Sequence, residues 1–162
     1  MQAGVGLSDI GKFDLSVCTM ISKDILERAQ ENPELLVRYM ASKRLVNFAR
    51  YIKPKLAMTN FHWAYYDILN RFAHGEIRKL IVSVSPQCGK SEGSSRFLPA
   101  FLLGLNPDLK IVIGSYNSDQ AKGFNRDVQR IVNSEAYRAV FPDTFFNNGK
   151  LRMENVYLCN SE

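Results

Sequence analysis

Apolar residues recur along this chain with two periods, and the switch between them predicts its elements. Helical spacing dominates the first part. Ser22 can cap a short helix over "KDILERAQ". Asn32-Pro33 is a second start signal, since Asn suits the N-cap and Pro the first turn. The helix predicted from Pro33 to about Ile52 gathers Leu35, Leu36, Tyr39, Val46 and Ala49 near one face. Pro54 ends it. Thr59 or Asn60 caps the next helix, "FHWAYYDILNRFAH", whose apolar stripe is Phe61, Tyr65, Ile68, Leu69 and Phe72, with Gly75 as the C-cap signal. The pattern then changes. "KLIVSVS" is a near-continuous apolar run rich in β-branched residues, as in a central parallel strand. A loop follows, and a helix from Lys90 to Leu103 closed by Gly104. "KIVIGSY" is a second buried-strand pattern. Asn117 or Ser118 caps the helix "DQAKGFNRDVQRIVN", and Pro142 stops a short turn over "EAYRAVFPD". Asn148-Gly149 marks a tight turn, and "NVYLCN" reads as a third strand.

Strand, loop, helix, strand, helix is the grammar of an α/β fold with a parallel sheet and right-handed crossovers. Residues 1–53 read as a separate N-terminal part, a loose arm followed by a helical segment. Residues 54–162 carry the α/β pattern.

Composition sharpens this picture in two respects. With 162 residues and 46% hydrophobic content, the chain can bury a core. Its 21 Lys and Arg against 16 Asp and Glu give a net charge of +5, which suits an anionic partner. Arg38, Lys43, Arg44, Arg50, Lys53 and Lys55 decorate the second helix and its exit, and read as a solvated face before a DNA contact. Cys18, Cys88 and Cys159 are widely spaced and form no CxxC or Cys/His cluster, so free thiols in a reducing compartment fit best. No signal peptide is legible in the N-terminal residues, and no run reaches the ~20 apolar residues of a membrane span.

The candidate chemistry lies in "SVSPQCGKSEGSS", residues 83–95. A phosphate loop needs backbone N–H groups around an anion and a helix pointing its positive end at it. Gly89 permits close backbone approach, Lys90 reaches the β and γ phosphates, and the Ser91 hydroxyl can ligate Mg²⁺. The usual GxxxxGK[ST] pattern fails at its first position, which is Val84 here.

Several ordered motifs extend the tripeptide. Phe61-His62, Gly75-Glu76-Ile77, Gly89-Lys90-Ser91-Glu92, Asn106-Pro107-Asp108, Ser115-Tyr116 and Arg126-Asp127-Val128 follow one another. This run resembles the ATPase domain of bacteriophage terminase large subunits, the motors of viral genome packaging, over about residues 54–160. The resemblance implies an incomplete P-loop NTPase-like fold, preceded by the N-terminal helical segment. It implies ATP and Mg²⁺ as cofactors, held by Ser85, Pro86, Gln87, Cys88, Gly89, Lys90, Ser91 and Glu92, with Lys90 and Ser91 catalytic. It implies double-stranded DNA, a portal protein and a small terminase subunit as partners, a ring of copies, and assembly in the host cytoplasm. His62 falls at the family's adenine-side motif, where a nucleotide contact and a purely local hydrogen bond are equally open readings. Gln87 and Cys88 stand where the family usually has Arg and His. Cys88 is open to a reactive or an inert reading. Glu92 could orient Ser91 or the metal, or simply favour the helix N-terminus. Arg126 and Arg130 read as a solvated face, with DNA or a neighbouring subunit as the alternative.

The acidic pair that such ATPases place on a later strand, and the nuclease carboxylates, have no counterpart before Glu162. The expectation is therefore an ATP-binding piece cut inside its ATPase domain, hydrolysing ATP poorly. The rival expectations are a non-catalytic module that binds DNA or partners through its basic N-terminal helix, and another P-loop ATPase of helicase-like kind.

Overall fold

The computed structural model describes residues 13–14 and 21–144. Their elements are α1 (Lys23–Glu31), α2 (Pro33–Lys43), α3 (Leu45–Ile52), α4 (Asn60–Ala73), α5 (Lys90–Glu92), a π turn (Gly93–Phe97), α6 (Leu98–Leu105), α7 (Ser118–Val132) and α8 (Glu135–Val140).

The expected parallel α/β sheet is overturned: no strand forms among the described residues. The runs at 79–85 and 110–116 lack regular secondary structure. Leu80, Val82, Ile111 and Ile113 pack against the core, but Ile81 is 96% exposed and Val112 65%. A continuous apolar run implies burial on both faces, whereas here one face alone meets the helices. The third run, "NVYLCN", lies outside the described residues.

The single helix expected from Pro33 to Ile52 is two. Arg44 has φ −131° and ψ 126°, which breaks the rod. Its guanidinium is held by Asp14 at 2.7 Å and Asp67 at 2.9 Å, an arrangement that straight helical spacing does not reveal. The orphan N–H of Leu45 at the start of α3 donates to the side-chain Oδ1 of the buried Asn70 on α4 at 2.9 Å. Asn47, also buried, accepts from the Asp14 N–H and donates to the Asp14 carbonyl. Phe13 packs with Val37 and Met40, so residues 13–14 are docked on α2 and α3 rather than loose.

Several local signals do operate as written. Asn32 and Asn117 accept the N–H groups of Glu34 and Asp119. Gly75, at φ +78°, closes α4 with Gly75 N–H to Phe72 and Glu76 N–H to Arg71, the paired bonds of a Schellman end. Gly104 has a different task. It lies inside α6, and a Cβ there would stand 2.4 Å from the Phe141 ring.

The core is one aromatic-rich cluster shared by α2, α3, α4, α6, α7 and α8. Phe48 meets Phe101, Tyr137 and Phe141 with ring centroids 5.5, 5.9 and 5.8 Å apart. The buried Tyr137 hydroxyl donates to the Ala100 carbonyl at 3.0 Å, and burial pushes that phenol well above its ordinary pKa.

Gly104→Ala is expected to destabilise the fold by about 1–3 kcal/mol through overpacking, and Phe141→Leu to recover part of that loss in the double variant. Urea unfolding of the two single variants and the double variant measures both effects. Glu34 offers a pH test. Its carboxylate accepts from Arg38 at 2.7 Å and from Tyr51, and these bonds hold its pKa below the ordinary value, chiefly through Arg38. A depressed carboxyl pKa stabilises above the unfolded value and loses that contribution as pH falls through the folded one. The thermal midpoint of Glu34→Gln should therefore lie below wild type at pH 7, and the gap should close as pH falls below the ordinary carboxyl value of about 4.3 and through the lower folded one.

Candidate phosphate-binding site

Residues 85–92 connect the irregular apolar segment to the helical rod. The loop has an uncommon backbone. Gln87 has φ +63° and Gly89 φ +70°, with Cys88 between them at negative φ. A non-glycine residue in the left-handed region is unfavourable, so its surroundings must impose it. Alternation of hands along a few residues is how backbone N–H groups are turned together into an anion-binding nest. Gly89 then occupies the N-cap of α5, and its carbonyl accepts the N–H groups of Glu92 and Gly93 at 3.1 Å.

The rod that starts here is α5, the π turn and α6 placed end to end. Pro99 explains the wide turn. Its ring would clash with the carbonyl of Ser95 in a regular helix, and the turn instead bonds Leu98 N–H to the Gly93 carbonyl.

Helix α4 fixes the loop from beneath. The Tyr65 hydroxyl donates to the Lys90 carbonyl at 2.8 Å, and the Ser94 hydroxyl donates to the same oxygen at 2.9 Å. Burial raises the Tyr65 pKa, so its phenol stays a donor at neutral pH. Gly93 makes the approach possible, because a Cβ there would stand 2.7 Å from the Tyr65 ring. His62 stands one turn earlier. Its Nδ1 accepts the Thr59 N–H at 3.2 Å and lies 2.8 Å from the Thr59 hydroxyl, a capping box with His in the usual place of Glu. An accepting Nδ1 puts the proton of the neutral ring on Nε2, the atom that would face a Gly89 Cβ at 3.5 Å. One ring nitrogen of His62 is thus used locally, and the other lies beside the loop.

The remaining predicted residues sort plainly. Lys90 is exposed and makes no ion pair within the described residues, while Ser91 is half-buried. Ser85, Pro86 and Gln87 are exposed, and Cys88 is a partly exposed free thiol. Glu92 is engaged by Lys53 at 2.6 Å, which ties the end of α3 to the start of the rod. Two further aromatics of α4, outside those predictions, lie elsewhere: Trp63 carries Arg50 over its ring at 5.5 Å, and Tyr66 is core. Sequence reasoning missed Tyr65, Ser94, Gly93 and Lys53 as loop supports. Gly93, a glycine just inside a helix, was the available signal for close packing.

Among the described residues, no group of three or more His, Cys, Asp or Glu side chains could hold a metal ion by itself, and no helix is long and apolar enough to cross a membrane. Comparison with family models, curated proteins and solved structures finds no match.

Gly89→Ala should destabilise the chain by about 1–2 kcal/mol, the cost of a left-handed residue with a Cβ. Lys90→Ala, at an exposed position, should change stability by less than about 0.5 kcal/mol. Chemical denaturation of both variants tests whether loop strain and loop charge separate in this way.

Proposed function

We propose that residues 85–92 bind the phosphates of ATP with Mg²⁺, and that the chain is the ATP-binding part of a DNA-packaging motor of the terminase large-subunit kind. The supporting observation is the loop backbone: two left-handed residues flank Cys88 at the start of a helical rod, and an uncommitted Lys follows directly. The ordered motifs from Phe61 to Val128 add the packaging context. The loop and the rod carry this reading; the sheet of a P-loop fold is not formed among the described residues.

The residues fit such a ligand. The loop amides and the positive end of the rod stabilise phosphate oxygens. Lys90 adds a mobile point charge. The Ser91 hydroxyl offers one oxygen ligand to an ion that otherwise takes phosphate and water oxygens. Held there by Ser91, magnesium would supply neutralisation of the phosphate charge. His62 can offer Nε2–H on the α4 side. Tyr65, Ser94 and the Lys53–Glu92 pair are positioning groups that hold the loop's shape. In the proposed motor, binding and hydrolysis drive double-stranded DNA, with a portal protein, a small terminase subunit and further copies of the chain as partners in the host cytoplasm.

Calorimetry with Mg-ATP tests this reading. Wild type should bind, and Lys90→Ala should bind about 10-fold or more weakly, as expected for loss of a charge-assisted contact. Absence of binding by the folded wild type, or equal binding by the variant, would remove the phosphate-loop assignment.

A further inference from the structure

The positive charge that a DNA partner requires is distributed unequally over the described surface. On the N-terminal helices it is largely committed. Arg38 pairs with Glu34, Arg44 with Asp14 and Asp67, and Lys53 with Glu92. Lys43 and Arg50 lie over the rings of Tyr39 and Trp63. Helix α7 differs. Its inner face is Ala121, Phe124, Val128 and Val132, all buried. Its outer face carries Lys122, Arg126 and Arg130 at successive i, i+4 positions, all exposed. Lys122 and Arg126 make no ion pair within the described residues. Arg130 has only a 3.4 Å approach to Asp127 and remains 72% exposed. Asp119, in the first turn, is the one acidic residue at the N-terminal end of this stripe.

A second observation comes from the helix itself. Gly123 sits on the same face, three residues before Arg126 and seven before Arg130. A helix-interior glycine costs about 1 kcal/mol relative to Ala. Elsewhere packing explains the helical glycines: Gly93 admits Tyr65, and Gly104 admits Phe141. At Gly123 a Cβ would meet nothing within 4 Å. The fold gives no reason for it. A ligand that lies against the helix backbone between the cations does.

We infer that the outer face of α7 binds the phosphodiester backbone of double-stranded DNA through Lys122, Arg126 and Arg130, with Gly123 admitting the strand close to the helix. The duplex as natural partner rests on the packaging-motor reading; the polyanion face rests on α7 alone. The three cations span about 12 Å of helix axis, and duplex DNA presents one charge per about 1.7 Å, so each can meet a phosphate. Contacts to phosphate alone carry no base recognition, so this binding is independent of sequence. The face also connects to the loop-bearing rod. Asp127 accepts from Arg96 at 2.7 Å, and Arg96 belongs to the π turn that follows α5. The same Asp127 approaches Arg130, so the DNA face and the rod that carries the loop share one ionic link.

The test is fluorescence anisotropy of the full chain with a labelled duplex of about 20 base pairs, over a salt series starting at low ionic strength. Wild type should bind with a log–log salt slope to which these three cations contribute about 2.7. Lys122→Gln/Arg126→Gln/Arg130→Gln should reduce the slope by that amount and weaken binding at least about 10-fold at low salt, with an unchanged circular dichroism spectrum. Gly123→Gln should weaken binding while leaving the slope closer to wild type. Arg78→Gln/Lys79→Gln, exposed cations elsewhere, should leave both unchanged. A triple variant with wild-type slope and affinity overturns the inference, as does a folded wild type that ignores the duplex. Preferential binding of poly-glutamate over the duplex also overturns it, in favour of an acidic protein partner. Lys90→Ala should bind the duplex as wild type does, so failure of the nucleotide site and failure of the DNA face are separately visible.

Discussion

Phe48 lies fully buried where α3 crosses α6 and the end of α8, within ring contact of Phe101, Tyr137 and Phe141. The rest of the arrangement depends on this contact. Helix α3 has only eight residues, too few to persist in water without tertiary support. It is aimed at the core by the extended residue Arg44, which Asp14 and Asp67 hold from two separate parts of the chain. Asn70 supplies the cap that α3 does not provide for itself. Gly104 leaves room for the Phe141 ring against α6. Loss of any one of these loosens the joint between the N-terminal helices and the rod that begins at Lys90.

That joint gives the loop its shape. The rod is anchored by Phe97, Leu98 and Phe101 in the core, so its first turn projects outward as a fixed start. Tyr65 and Leu69 of α4 reach the rod at Gly93, and Tyr65 clamps the Lys90 carbonyl. Two left-handed residues persist at 87 and 89 because the chain on one side of them is bonded this tightly. A strained backbone next to a free lysine is the kind of local cost that folding alone does not require.

The sequence conveyed these features unevenly. Caps at Asn32 and Asn117 and the Gly75 end are local devices, and local devices can be read from a few residues. The break at Arg44 could not be read, because it comes from ion pairs 30 and 23 residues away in sequence. Gly104 looked like a helix terminator, since a glycine that permits a ring to approach and a glycine that ends a helix are the same letter. The apolar runs at 79–85 and 110–116 led to a sheet that the described residues do not form. Composition reports that a segment prefers burial, but not whether one face or two are covered. In the site, Gly89, Lys90 and Ser91 were evident from the motif, whereas Tyr65, Ser94 and Lys53 act from distant positions. The conspicuous cations of α2 and α3 are largely spent on internal partners, and the less conspicuous ones of α7 are not.

The central proposal is that residues 85–92 form a preshaped phosphate cradle held by α4. A two-dimensional ¹H–¹⁵N spectrum titrated with magnesium pyrophosphate addresses it directly, because backbone amides report the contact themselves. The account predicts the largest shifts at the amides of Cys88, Gly89, Lys90 and Ser91, a smaller response at the His62 ring, and little change in α2 or α8. Shifts centred elsewhere, or a loop whose amides ignore pyrophosphate while the chain remains folded, would contradict it.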